Sequence, residues 1–367
     1  MSEEIEQLIR PELLTLNSYS ASKPPETLAG SGEVPIKDII KLDANENPYG
    51  CSPRVHQALA AYPSFSVYPD SEQTELRALL ADYSGVGAER IVVGNGSDQL
   101  IDLLIRLFVG PGDEVVNLVP TFGIYRFSTQ VQGGTLVEVL RDEDFAVNVE
   151  AVKAAIGSKT KIIFLSNPNN PTGNITPQKD ILELVATGIP VLVDEAYYEF
   201  SKETVVPLVS RYKNLMVLRT FSKWAGLAGL RIGYGIFPPK VAEYLLTIKV
   251  PYSINVAAQV AVRESLRDAD YLMGRVKAIL AERERLFTEL QKLKWLKAFP
   301  SRANFIFCSV LNGKASEIQQ KLEHKGILVR YFDQPFLNNA IRISVGKPED
   351  TDALIKALQE IGEEING

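Results

Sequence analysis

Lys223 stands between a hydroxyl and a run of small residues in Thr220-Phe221-Ser222-Lys223-Trp224-Ala225-Gly226-Leu227-Ala228-Gly229-Leu230-Arg231. The apolar run Leu215 to Leu218 reads as a buried strand, so the lysine falls just past its carboxyl end, the edge at which open parallel sheets bind ligands. Apolar surroundings disfavour an ammonium, and an amine deprotonated near neutral pH can hold an aldehyde as a Schiff base. From this stretch alone, a solvated loop lysine followed by turn glycines is the alternative. A second chemical group closes the apolar run Val191-Leu192-Val193, which is followed by Asp194-Glu195-Ala196-Tyr197. A carboxylate buried at a strand end needs a partner, because burying it bare is expensive.

A third feature could hold an anion. Ile91-Val92-Val93 runs into Gly94-Asn95-Gly96-Ser97-Asp98 and then a helical pattern to about Val109. Free backbone N–H groups at a helix start, with glycines allowing close approach, make a phosphate cradle. It is not the dinucleotide fingerprint, since no third glycine stands at the required offset. Two polar loops complete the candidates, Asp43-Ala44-Asn45-Glu46-Asn47-Pro48-Tyr49-Gly50 and Ser166-Asn167-Pro168-Asn169-Asn170-Pro171-Thr172-Gly173. Such residues also make ordinary turns. Arg330 and Arg342 lie in strand patterns, Ile327 to Tyr331 and Ala340 to Val345, where an arginine is commonly a rim residue.

The elements that must position these groups alternate along the chain. Strands are expected at Ile39–Leu42, Glu114–Val119, Thr135–Leu140, Ile162–Leu165 and Ile232–Phe237, the last opened by Arg231. Helices are expected at Pro53–Ala61, around Leu76 to Tyr83, near Val149–Ile156 and from Pro238 onward. A long helical stretch from Ser253 to about Ala298, broken near Asp268 to Asp270, leads to a smaller module. There Asn304–Val310 reads as a strand, Ala315–Lys325 as a helix and Glu349–Glu364 as a second helix. Pro11 to Pro35, rich in Ser, Pro and Gly, reads as an extended arm carrying Tyr19.

With 367 residues, 46% of them hydrophobic, the chain can bury one large core and a smaller one. A formal net charge of -6 argues against a nucleic-acid footprint. Cys51 and Cys308 alone imply no disulfide framework and fit a reducing, cytoplasmic setting. His56 and His324 lack ligand spacing, so no metal is expected. No run approaches the length of a membrane span, and the acidic first residues do not make a signal peptide.

Thr-Phe-Ser-Lys with Arg231 eight positions after Lys223 resembles the cofactor-lysine segment of fold type I enzymes that use pyridoxal 5′-phosphate (PLP). The strings Asn45-Glu46-Asn47-Pro48-Tyr49-Gly50, Asn169-Asn170-Pro171-Thr172-Gly173 and Ile341-Arg342-Ile343-Ser344-Val345-Gly346 are similar to those of the histidinol-phosphate aminotransferase family. One position departs: the residue after the lysine, usually small in this class, is Trp224.

The resemblance implies an α/β fold, with a mostly parallel seven-stranded sheet flanked by helices in a large PLP domain and a smaller α+β domain. The expected division is 1–37 as arm and part of the small domain, 38–253 as large domain and 254–367 as small domain. It implies that Lys223 carries PLP as a Schiff base and moves the Cα proton. Asp194 would face the pyridine nitrogen and turn the ring into an electron sink. Tyr197 and Asn170 would meet the phenolic oxygen, and Phe122, after the strand ending at Val119, would lie over the ring. Gly96, Ser97, Asp98, Ser222 and Arg231 would hold the cofactor phosphate, joined by Tyr68 from the neighbouring subunit of a homodimer. Tyr19, Arg330 and Arg342 would hold the substrate phosphate, with Asn47 bordering the substrate. The implied reaction converts histidinol phosphate and 2-oxoglutarate to imidazole-acetol phosphate and glutamate, in histidine biosynthesis.

Three other enzyme readings remain at this point: an aromatic amino acid aminotransferase, a PLP-dependent phosphothreonine decarboxylase, and an NAD-dependent oxidoreductase, which lacks its fingerprint. The sensor half of a PLP-binding regulator is disfavoured, since no basic or helix-turn-helix segment precedes the aminotransferase-like part.

Overall fold

The computed structural model describes residues 5–19, 21, 22, 24, 26, 27 and 34–366. Its strands are β1 (Ile40–Leu42), β2 (Ile91–Gly94), β3 (Glu114–Val119), β4 (Thr135–Leu140), β5 (Thr160–Ser166), β6 (Val191–Asp194), β7 (Leu215–Thr220), β8 (Gly233–Ile236), β9 (Leu296–Ala298), β10 (Phe305–Val310), β11 (Ile327–Tyr331) and β12 (Ala340–Ser344). Seven of them form one sheet in the order β2-β8-β7-β6-β5-β3-β4. Only β8 runs against its neighbours; the other pairings are parallel.

The continuous apolar runs have a simple cause. A strand covered on both faces sends alternate side chains into two separate cores. Val191, Val193, Leu215 and Val217 enter one cluster, while Leu192, Met216 and Leu218 enter the other with Leu100, Ile101 and Phe164. The central strands are therefore buried along their whole length. Their polar ends, not their middles, are what the cavity sees.

A second sheet has the order β1-β11-β12-β10-β9. Its first strand comes from the beginning of the chain, with Ile40 opposite Ile327 in a parallel pair. The chain then crosses through the loop 43–50 toward the large sheet. Phe305, Ile341 and Ile343 of the second sheet share one apolar cluster with the first, so the two sheets pack as one body around the space between them. The long helical stretch is broken at Asp268, between helices Val256–Arg267 and Ala269–Leu290, and Asp268 accepts a hydrogen bond from Ser52 Oγ.

Four local features differ from the sequence expectation. The helical stretch expected to reach about Ala298 stops at Leu290, and Leu296–Ala298 is instead β9, paired with β10. Helix Ile124–Gln132 has no counterpart in that expectation, because Ile-Tyr-Arg-Phe-Ser-Thr is rich in residues that lose side-chain freedom in a helix. Burial of Tyr125, Ser128 and Thr129 overrides that preference. In the arm, Pro11–Leu14 is a helical turn rather than extended chain, and Ser20, Lys23, Pro25 and 28–33 lie outside the described residues. Arg231 does not open β8 but ends a 3-10 turn in the left-handed region, at φ 52°.

Candidate active site

The carboxyl ends of β2, β5, β6 and β7 border a cavity of about 420 Å³, whose far wall comes from β11 and β12. Among the sequence candidates, Tyr19, Ser97, Asp98, Phe122, Asn170, Asp194, Tyr197, Ser222, Lys223, Arg231, Arg330 and Arg342 all border it. Residues separated by more than three hundred positions thus converge on one space.

Lys223 is half-buried, and its Nζ donates to the carbonyl of Ala44 at 2.8 Å. Desolvation, helped by the Arg342 charge, pulls its pKa down to about 8, so a useful fraction is the free amine near neutral pH. Trp224 does not intrude. It is 1% exposed, stacks on Tyr83 with ring centroids 5.8 Å apart, and offers its carbonyl to Asn47 Nδ2 at 2.8 Å. At Gly226, φ +68°, a Cβ would lie 2.4 Å from Gly50 carbonyl carbon. The small residues after the lysine therefore let the loop 43–50 press against this turn.

Asp194 is 4% exposed. Its Oδ2 accepts from Tyr125 Oη at 2.7 Å and its Oδ1 from the Ala196 N–H at 3.1 Å. Burial pushes its pKa up to about 6, with these two donors acting the other way. The adjacent Glu195 turns elsewhere: Arg219 Nε and Nη2 donate to its Oε2 at 3.1 and 2.9 Å. One carboxylate of the pair is neutralised in the interior, and the other is left at the cavity.

Tyr197 accepts from Asn45 Nδ2 at 2.9 Å, and burial pushes its pKa up to about 12, so the phenol stays protonated. Asn45 sits in the left-handed region at φ 55°, a conformation asparagine tolerates. It is held by Ser344 Oγ, which donates to Asn45 Oδ1 at 2.9 Å, and by Asn304 Nδ2, which donates to its carbonyl at 3.0 Å. Arg342 Nη1 donates to Asn170 Oδ1 at 2.6 Å and Nη2 to the Asp43 carbonyl at 2.6 Å. Its Nε is buried with no partner among the described residues. With its oxygen engaged by Arg342, the Asn170 amide keeps its NH2 as the end that can donate elsewhere.

At the opposite end, Arg231 Nη2 lies 2.8 Å from Asp98 Oδ2 at the start of helix Gly96–Phe108. At Gly96, φ +75°, a Cβ would lie 2.6 Å from Arg231 Nη2, so only glycine leaves room for that guanidinium. A Cβ at Gly233 would likewise meet the Ser97 nitrogen at 2.5 Å. Ser222 Oγ, 3.0 Å from Thr220 Oγ1, borders the same region. Open first-turn N–H groups, a guanidinium and hydroxyls form a donor set that suits a phosphate. Together with a buried carboxylate and a half-buried amine, the set fits PLP.

Three candidates do not border the cavity: Gly96, described above, Asn47 and Tyr68. Asn47 is buried, with its Nδ2 engaged by Trp224 and its Oδ1 accepting from the Tyr49 N–H at 3.0 Å. Tyr68 is 79% exposed and packs on Tyr252, ring centroids 4.7 Å apart. Sequence reading passed over Tyr125 and Asn45 as individual residues. Tyr125 carries no motif of its own, while Asn45 lay in plain view inside the polar loop 43–50. No helix among the described residues is long and apolar enough to cross a membrane, and they hold no His/Cys/Asp/Glu cluster for a metal.

Residues 37–358 match the family model described as aminotransferase class I and II. A histidinol-phosphate aminotransferase of Dehalococcoides mccartyi is 53% identical over 363 residues, covering 99% of this chain and 100% of that protein. The chloroplastic histidinol-phosphate aminotransferase of Nicotiana tabacum is 44% identical over 354 residues, covering 96% of this chain and 86% of that protein. Among solved structures, histidinol-phosphate aminotransferase from Sinorhizobium meliloti in complex with pyridoxal-5′-phosphate superimposes with a TM-score of 0.86 at 29% identity, covering 97% of this chain and 98% of that one. The chain belongs to the class I and II aminotransferases and, within them, to the histidinol-phosphate aminotransferase family.

Proposed function

We infer that this chain is a PLP-dependent aminotransferase that takes the amino group of histidinol phosphate and passes it to 2-oxoglutarate, a step of histidine biosynthesis. The observation that carries the reading is the meeting, in one cavity, of Lys223 and Asp194 at the large sheet's strand ends with Arg330 and Arg342 of the second sheet. The full-length relatives at 53% and 44% identity support it.

When bound, PLP supplies an aldehyde for the donor's amino group and a ring that takes up the electron pair left at Cα. Lys223 would hold that aldehyde covalently between turnovers and, once displaced, would take the Cα proton on its Nζ and deliver it to the cofactor carbon. Asp194 would accept the pyridine N–H, and Tyr197 and Asn170 would donate to the phenolic oxygen. Phe122 would cover the ring and keep water from the reacting bond. Gly96, Ser97, Asp98, Ser222 and Arg231 would hold the phosphate.

Arg330 and Arg342, with the Tyr19 hydroxyl, bind the phosphate monoester of the donor through charge-assisted bonds. The same arginines take the carboxylate of glutamate or 2-oxoglutarate in the second half-reaction. Asn47 borders the substrate indirectly, by fixing the turn after Lys223. Two guanidiniums beside a tyrosine favour a dianion over a bare aromatic side chain.

The working unit in this reading is a homodimer in the cytoplasm, divided as 1–37, 38–253 and 254–367. Tyr68, exposed on its own subunit with exposed Phe65 and Val67 just before it in the chain, completes the phosphate site of the neighbour. A panel of amine donors given to the purified holoenzyme tests the substrate. Histidinol phosphate should exceed phenylalanine in kcat/KM by about 10²-fold or more. Equal turnover of phenylalanine, or carbon dioxide released from phosphothreonine, would replace the reading by one of its rivals.

A further inference from the structure

We propose that Tyr125 is a positioning residue for the reaction: by donating its hydroxyl to Asp194, it holds that carboxylate anionic and aimed into the cavity. The proposal rests on the role of Asp194 given above and is independent of which amine is the substrate.

Tyr125 lies three residues after Phe122, in the first turn of helix Ile124–Gln132, and is fully buried. Three contacts fix its ring. It stacks on Phe164 with centroids 4.8 Å apart and planes 9° from parallel, meets Phe122 edge-on at 5.6 Å, and its carbonyl accepts from Thr129 Oγ1 at 2.7 Å. The hydroxyl reaches Asp194 Oδ2 at 2.7 Å. With the Ala196 N–H on Oδ1, both carboxylate oxygens are engaged and the group cannot rotate away from the cavity.

The charges around this pair decide its state. Asp98 from the helix Gly96–Phe108 and Glu195 from its own segment favour protonation of Asp194, as burial does. Tyr197 lies close enough to feel the same charge, and Arg141, whose guanidinium donates to the Leu118 and Phe145 carbonyls, lies within electrostatic reach of Tyr125. Against these, the Tyr125 hydroxyl and one backbone N–H are the stabilising donors. The balance puts the carboxyl at about 6, near enough to neutrality for one hydrogen bond to matter. Removing it would leave about half of the carboxyl as the neutral acid near pH 7, a form unable to pair with a protonated pyridine nitrogen. Because the same ring also touches Phe122, one side chain couples the ring's cover to the acid at its edge.

Tyr125→Phe keeps the stacking and deletes only the hydroxyl. In the apoprotein with carbon-13-labelled aspartate, and Asp194→Asn for assignment, the Asp194 midpoint should rise by about one pH unit. In the holoenzyme, kcat should fall about tenfold with the donor KM within about twofold, and the acid limb of the kcat profile should shift upward. In an Asp194→Asn background the same change should alter kcat by less than about twofold. An unmoved midpoint, or the tenfold loss recurring in that background, overturns the proposal. Should the phenylalanine variant not fold, labelled tyrosine in the wild-type apoprotein gives the answer. The Tyr125 ring-carbon signal must then titrate with the Asp194 midpoint, and an independent response refutes the coupling. The titrations use no cofactor or substrate, so they stand or fall separately from the aminotransferase assignment.

Discussion

The two walls of the cavity are built differently. On the large-sheet wall each titratable group is already engaged: Asp194 by two donors, Tyr197 by Asn45, and Lys223 by the Ala44 carbonyl. On the second-sheet wall, Arg330 and Arg342 face each other across the β11–β12 pair, over the rings of Phe332 and Phe305. Like charges opposite one another in a ladder repel, and Arg342 keeps a buried Nε without a partner among the described residues. The first wall is organised for a resident group that stays through every turnover. The second gathers two guanidiniums whose like charges an arriving anion would offset.

The comparison can be broken in three places. Lys223→Ala on the first wall should abolish the chemistry itself, lowering kcat by roughly 10⁴-fold and removing the bound cofactor's imine absorbance. Retained turnover would mean another amine does the work. On the second wall, Arg330→Met should lower kcat/KM for the phosphorylated donor about 10²-fold, with cofactor affinity held within about twofold. Equilibrium dialysis and steady-state rates check both, and an equal loss of cofactor would erase the division between the walls.

The smallest effect is on stability. The Asp194 carboxyl is raised to about 6 in the folded chain from an ordinary value of 3.8, so between these pH values the folded apoprotein binds the extra proton. Stability from this group therefore declines as pH rises through that window and stays low above it. Asp194→Asn should make the apoprotein more stable at pH 7 by about 2 kcal/mol and flatten its profile between pH 4 and 6. Denaturant titration across that range checks the sign, and a less stable variant would show that the carboxylate is not strained in the empty site.

Local sequence made much of this legible. Runs such as Leu215 to Leu218 read as strands buried on both faces, and polar residues closing such runs fall at the sheet edge. Lys223 and Asp194 follow from that rule, whereas the roles of Ser97 and Asn170 came from the family resemblance. Tyr125 escaped it because a buried tyrosine in a helix of poor helix formers has no local signature; its role exists only because β5 and β6 bring Phe164 and Asp194 to it. Trp224 was an oddity until Tyr83 appeared beside it.

From the sequence alone came most of the alternation of elements and the candidate amine, acid and phosphate cradle, since each follows from which residues end an apolar run. The tertiary structure alone decided that Glu195 pairs with Arg219 in the interior, which end of the Asn170 amide is occupied, and that β1 joins the second sheet. Those outcomes turn on distances of about 3 Å between residues far apart in the chain, and spacing along a sequence carries no information at that range.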